Sequence, residues 1–119
     1  MKYDILVYEN ETDFAARTDA TKQGDYWAAY SAYTNALQKS GVMVGGAGLA
    51  PPTAATSLRI SSGKRHVQDG PFVDSKEQLG GYYTIDVPDL DAALDWAAKC
   101  PSATTAGVEV RPHMVMSSN

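Results

Sequence analysis

The sequence predicts an α+β fold in which a ferredoxin-like βαββαβ order carries one extra β-hairpin. Three observations predict it. Strand-like runs stand at KYDILVY, YYTIDV and GVEVRP, two stretches of helical spacing separate them, and a pair of short runs joined by Ser62-Gly63 lies in between. The chain has 119 residues, enough for one domain, expected over 1–116 with a disordered tail at 117–119. A chain this short leaves much of its surface in water unless a partner covers it, so self-association is expected on size alone.

In Lys2 to Tyr8, alternation sets Tyr3, Ile5 and Val7 on one face and Asp4, Leu6 and Tyr8 on the other. Both faces are partly apolar, which predicts a strand covered on two sides and an Asp4 that needs a partner. Asn10 to Gly24 is polar and punctuated, and is expected to be a loop with about one helical turn anchored by Phe14. From Asp25 to Ser40, Tyr26, Tyr30, Tyr33 and Leu37 recur at helical spacing, with Gly41 placed to cap the C-terminus. The tyrosines either pack on the sheet with their hydroxyls at the rim or, at Tyr30 or Tyr33, aim a hydroxyl into a ligand cavity.

Val42 to Ala50 reads as a strand broken by Gly45, Gly46 and Gly48, where a ligand or another backbone can approach closely. Its glycines lack the dinucleotide spacing, and Pro51-Pro52 forbids the helix that should follow. Ala54 to Ser61 and Lys64 to Gln68 form the hairpin, with His66 in solvent. Leu79 to Val87 is the central strand and contains Tyr82. Pro88 stops it, and Asp89 caps a helix with Leu90, Ala93, Leu94 and Ala97 as its buried stripe, Lys99 near its C-terminal end and Pro101 as its stop. Gly107 to Val115 is the last strand, with Val108 and Val110 opposite Glu109 and Arg111.

A net charge of −4 and a pI near 4.9 exclude the basic surface that a nucleic acid needs. One cysteine, Cys100, makes no internal disulfide and fits a reducing compartment. The acidic opening MKYDILVYENETD is unlike a secretory leader, and no apolar run nears the ~20 residues that cross a bilayer, so a cytoplasmic protein without a membrane partner is expected. His66, His113 and Cys100 are too few and too scattered for a zinc site, so no metal and no cofactor are expected.

The stretch DGPFVDSKEQLGG is the densest in polar chemistry. In DGPF, Asp69 accepts from following amides, Gly70 tolerates unusual angles, Pro71 fixes the next step and Phe72 inserts as an anchor, with Asp69 also open to a ligand. Asp74, Lys76 and Glu77 follow at the mouth of any cavity, where a carboxylate with a raised pKa is a general base. Arg111 suits a carboxylate, and His113 is by residue type a proton donor or acceptor. The candidates are therefore Asp69, Asp74, Glu77 and His113 for catalysis, and Tyr30, Gly46, Gly70, Pro71, Phe72, Lys76, Tyr82 and Arg111 for ligand binding; a turn device and a solvated charged loop are the competing explanations.

Together with GVMVGGAGLAPP, VPDLDAALDWAAKCP and GVEVRP, this stretch resembles the DGPF family of YCII-related proteins over nearly the whole chain. The resemblance implies a dimeric α+β barrel, with helices on the outer faces and a homodimer closing on the bare sheet faces. Some YCII-type relatives carry a histidine on the first helix that works with an aspartate; this helix offers Tyr30 and Tyr33 instead, and Ala47 stands where many DGPF members have an acid. Relatives act on small aromatic or lactone compounds, one resembles a dehydrochlorinase, and others accompany bacterial extracytoplasmic-function sigma factors. The resemblance thus implies a small organic ligand bound in the barrel, with a cofactor-free lyase or isomerase as one reading and a non-catalytic ligand-binding or protein-interaction module in transcriptional or stress regulation as the other.

Overall fold

The computed structural model describes residues 1–116, so the tail expected to be disordered lies outside the described residues. The main sheet has four strands: β1 (Lys2–Glu9), β2 (Met43–Gly48), β5 (Gln78–Asp86) and β6 (Gly107–Pro112), in the order β2-β5-β1-β6 with every pair antiparallel. That is the ferredoxin-like order. A separate two-stranded sheet, β3 (Thr56–Ser61) with β4 (Lys64–Asp69), is the inserted hairpin.

Alternation along β1 decides which face is the core. Tyr3, Ile5 and Val7 point at the helices and are buried with Ile85, whereas Asp4, Leu6 and Tyr8 face the other way and are partly exposed. The same period extends one step further than KYDILVY and buries Glu9. On the core side lie α2 (Gln23–Ser40) and α3 (Leu90–Ala97), contributing Tyr33, Leu37, Ala93 and Ala97, with Cys100 just beyond α3. The Tyr33 hydroxyl donates to the Trp96 carbonyl at 2.8 Å, joining the two helices across the core.

The loop expected over 10–24 is more ordered than its composition implies. Asn10 caps a short helix, α1 (Glu11–Ala16), by accepting from the Asp13 N–H at 2.8 Å, and the Asp13 carboxylate accepts from the Asn10 N–H at 3.1 Å. The second helix begins at Gln23, two residues before the expected Asp25, and ends on Gly41 at φ 79° as its position predicts. Asp89 caps α3 by accepting from the Ala92 N–H at 2.9 Å.

The stripe expected on α3 is corrected: Ala93 and Ala97 are buried, but Leu90 and Leu94 are exposed. The small alanines pack against the core with Trp96, which turns the leucine edge of the helix outward. Lys99 lies past the end of α3 and sits over the Trp96 ring at 4.7 Å. The last strand stops at Pro112, which has no N–H to continue the ladder, although the His113 N–H still reaches the Lys2 carbonyl at 2.9 Å. No helix of the described residues is long and apolar enough to cross a membrane.

Leu37 is fully buried at the centre of this core. Leu37→Ala is expected to lower unfolding free energy by about 2–5 kcal/mol in urea titration, through lost transfer energy and the cavity left behind. A loss under about 1 kcal/mol would mean that α2 does not seat on the sheet as described.

Candidate functional site

The last inward residue of β1 is a carboxylate. Glu9 is 1% exposed, and both of its oxygens are taken: Arg17 donates through Nη2 to Oε1 at 2.5 Å, and the Tyr26 hydroxyl donates to Oε2 at 2.5 Å. Arg17 lies just after α1 and spreads its fork further, donating through Nε to the Tyr26 hydroxyl at 3.0 Å, through Nη1 to the Leu49 carbonyl at 2.5 Å and through Nη2 to the Gly80 carbonyl at 3.1 Å. One guanidinium therefore joins α1, α2, β1, β5 and the segment after β2. Phe14, Tyr26 and Trp27 pack round its charge, and the Trp27 indole N–H donates to the Arg17 carbonyl at 3.0 Å.

Gly80 makes room for this pair. A methyl at Gly80 would overlap the Glu9 carboxylate, and one at Gly46 would meet the Tyr82 carbonyl at 2.6 Å. Where Gly46, Gly48, Gly80 and Gly81 carry no side chains, a cavity of about 460 Å³ remains between this glycine floor, edged by Met43, Tyr82 and Tyr83, and α2. Tyr26, Trp27, Tyr30 and Thr34 face it from the helix, Ser31, Asn35 and Gln38 form a polar row along the same helix, and Glu9 and Arg17 close one end. The volume suits a small ring compound. The cavity lies on the helix side of the sheet, not in the barrel interior that the sequence analysis emphasised.

The protonation states favour donors. Burial, reinforced by the Glu9 carboxylate, pushes the Tyr26 phenol above its ordinary range despite the opposing Arg17 charge. Burial does the same at Tyr30, where Glu9 and Cys100 add to the effect and the Ser102 hydroxyl opposes it. At neutral pH both are neutral phenols. For Arg17, burial works against the charge, but the hydrogen bonds to Glu9 and Tyr26 outweigh it and raise its pKa, so the guanidinium stays protonated. The end of the cavity is thus a closed cation–carboxylate pair ringed by neutral hydroxyls and π faces.

Of the residues singled out in the sequence, Tyr30, Gly46 and Tyr82 line this cavity. Asp69, Gly70, Pro71, Phe72, Asp74, Lys76 and Glu77 do not; they belong to the base of the hairpin and the connection into β5. The Asp-Gly-Pro-Phe corner closes that base, with the Gly70 N–H donating to the Ala55 carbonyl at 2.8 Å and the Ser57 hydroxyl to the Gly70 carbonyl at 2.7 Å, and φ of 102° at Gly70. Phe72 is not the inserted anchor expected: it is exposed, with the Arg59 guanidinium 4.5 Å over its ring. Pro71 lines a smaller hollow with Pro51 and Pro52.

His113 and Arg111 lie on the opposite side of the sheet. The Asp4 carboxylate finds its partners there, accepting from the Thr84 hydroxyl at 2.6 Å and pairing with His113 Nε2 at 2.7 Å. Burial tends to raise the Asp4 pKa, but Thr84 and His113 together hold it below the ordinary value. Arg111 is exposed and paired with Glu109. Among the described residues, no three His, Cys, Asp or Glu side chains gather as a metal site. Glu9 and Arg17 are what the sequence reading passed over, and for Glu9 the signal lay in the odd-numbered alternation of β1, which runs on to it.

The family model of the YCII-related domain matches residues 1–117. The chain belongs to the YCII-related family. An uncharacterised protein of Rhizobium meliloti (strain 1021) is 40% identical over 117 residues, spanning 94% of this chain and 91% of that protein. Among solved structures, the 5-chloro-2-hydroxyhydroquinone dehydrochlorinase of Burkholderia phenoliruptrix AC1100, complexed with 2,5-dihydroxybenzoquinone, matches 96% of this chain and 94% of its own at a TM-score of 0.54 and 17% identity. That likeness concerns the fold, and it bears out the α+β barrel architecture for this YCII-related chain.

Two stability measurements test the geometry. Arg17→Met is expected to cost about 3–5 kcal/mol by stranding the Glu9 carboxylate, whereas Arg17→Met with Glu9→Leu should cost clearly less than the two single losses added together; strict additivity would dissolve the pair. Because the folded pKa of Asp4 lies below its unfolded value of about 3.9, its contribution is complete above that value and is lost as pH falls through the folded one. Asp4→Asn should therefore flatten the acid limb of a stability-against-pH curve below about pH 4.

Proposed function

We propose that the protein binds a small, flat, hydroxylated or oxo-bearing organic ring in the cavity between α2 and the glycine floor of β2 and β5. The observation that carries this is the Glu9–Arg17 pair sealed at one end of an open cavity. A buried ion pair seldom stabilises a fold better than apolar residues of the same volume, so its presence beside space for a ligand favours a binding role. A flat ring fits between the glycine backbone of β2 and β5 on one wall and Tyr30 and Trp27 on the other, while Ser31, Asn35 and Gln38 offer hydrogen bonds to its substituents. The Burkholderia enzyme of the same fold is complexed with a ring of this kind.

The catalytic form of this reading is a cofactor-free lyase or isomerase. Glu9 takes a proton from the ligand while the Tyr30 hydroxyl donates a hydrogen bond to the oxygen that gains electron density; the electron pair then expels a leaving group or relocates a double bond, and no external oxidant or reductant is consumed. One observation favours a second, non-catalytic form: both Glu9 oxygens already hold hydrogen bonds, which weakens the carboxylate as a base. In that form the same groups recognise the ligand without turning it over.

Titration with 2,5-dihydroxybenzoquinone, hydroquinone and related hydroxylated rings, followed by amide chemical shifts, tests the site. Perturbation should centre on Gly46, Gly48, Gly80 and Gly81 and weaken at least about tenfold in affinity in Trp27→Ala. Shifts confined to other surfaces across the whole panel would overturn the assignment. For any compound that is turned over, Glu9→Gln should abolish turnover and keep binding; undiminished turnover would leave only the binding form.

A further inference from the structure

The cavity is walled with polar groups, yet it offers a ligand no free charge. Among its lining residues only Glu9 and Arg17 have acidic or basic side chains, and they are spent on each other at 2.5 Å. The donors of Arg17 are nearly all taken. A guanidinium has five N–H groups. Nε gives its own to the Tyr26 hydroxyl, Nη2 gives both of its own to Glu9 and the Gly80 carbonyl, and Nη1 gives one to the Leu49 carbonyl. A single N–H on Nη1 is left over. A carboxylate needs two parallel N–H groups for a forked grip, and Arg17 has no such pair to give while Glu9 holds it.

Among the described residues no other cation lines the space. Lys22 and Lys39, at the two ends of α2, are exposed and stand outside it. The helix enters the lining only at Tyr26, whose N–H already donates to the Lys22 carbonyl at 3.1 Å, so the open first-turn amides of α2 lie outside as well. What faces a ligand is uncharged: the side chains of Ser31, Asn35 and Gln38, the Tyr30 phenol and the aromatic faces. Glu9 is what makes it so. Without its charge, Arg17 is a receptor for anions at the closed end of the cavity; with it, an anionic substituent meets a carboxylate and gives up water for no partner.

We infer that Glu9 is a specificity residue that cancels Arg17, so that the cavity takes uncharged hydroxylated or oxo-bearing rings and rejects rings carrying a carboxylate, sulfonate or phosphate. The inference rests on the ring-binding reading given above and adds to it the charge of the ligand.

Three rings test it: hydroquinone, 2,5-dihydroxybenzamide and 2,5-dihydroxybenzoate, the last two alike in shape and different in charge. They are titrated into the intact protein at about pH 7, where the benzoate is ionised, and followed by the amide shifts of Gly46, Gly48, Gly80 and Gly81. Hydroquinone and the benzamide should bind, and the benzoate should be at least about tenfold weaker than the benzamide. In Glu9→Gln, which keeps the shape of the side chain and leaves the cation uncancelled, that ratio should fall to about one or invert. A benzoate as tight as the benzamide in the wild type overturns the inference. So does a benzamide as weak as the benzoate beside a hydroquinone that binds, because the selection is then steric, and so does an unchanged ratio in folded Glu9→Gln. Should that variant fail to fold, the wild-type comparison decides. If none of the three rings moves the glycine amides, the cavity reading falls and the inference with it, whereas binding that is blind to charge removes the inference and leaves the cavity reading standing.

Discussion

The structure near the cavity depends on one carboxylate held out of water. Glu9 is tolerable there only because Arg17 and Tyr26 satisfy both of its oxygens, and Arg17 reaches it only because the chain after α1 folds back over the end of β1. That requirement accounts for the order found in a stretch whose composition reads as a loop. The same guanidinium also binds the Leu49 and Gly80 carbonyls, so the glycine strands and the helices are registered to each other through it.

The two faces of the sheet solve different problems. On the helix side the fully buried residues are apolar except Glu9 and Ser102, and both of these are hydrogen-bonded within the chain. The other side carries Asp4 with His113 and Thr84, beside the half-exposed Leu6 and Tyr8, a mixture that neither open water nor a dry core explains well.

Much of this was legible in the residues. Gly41, Asp89 and Pro101 mark helix ends and Pro88 a strand end by local physics that tertiary packing rarely overrides, and the Ser62-Gly63 turn is specified by two positive φ angles. What was not legible came from long-range geometry. The Asp-Gly-Pro-Phe corner drew attention through its density of polar residues, yet its hydrogen bonds serve to close the hairpin base. Glu9 went unassigned because alternation was followed only to Tyr8; continuing the period by one residue places it among the core side chains. Arg17 and Gly80 had no signal of their own, since a cation in a polar loop and a glycine in a strand gain meaning only when the fold sets them against Glu9. Leu90 and Leu94 were misread because an amphipathic stripe defines a face but not how closely a neighbour lets the helix approach.

Cys100 gives the molecule a property unconnected with the cavity. Its thiol is buried behind α3 and its pKa is pushed up by that burial, which leaves very little thiolate at neutral pH. While the core is closed, alkylating reagents and air oxidation find nothing to attack; once it opens, they meet an ordinary cysteine. The rate of modification at this one sulfur is therefore an intrinsic clock for core breathing, readable by mass spectrometry without introducing a label.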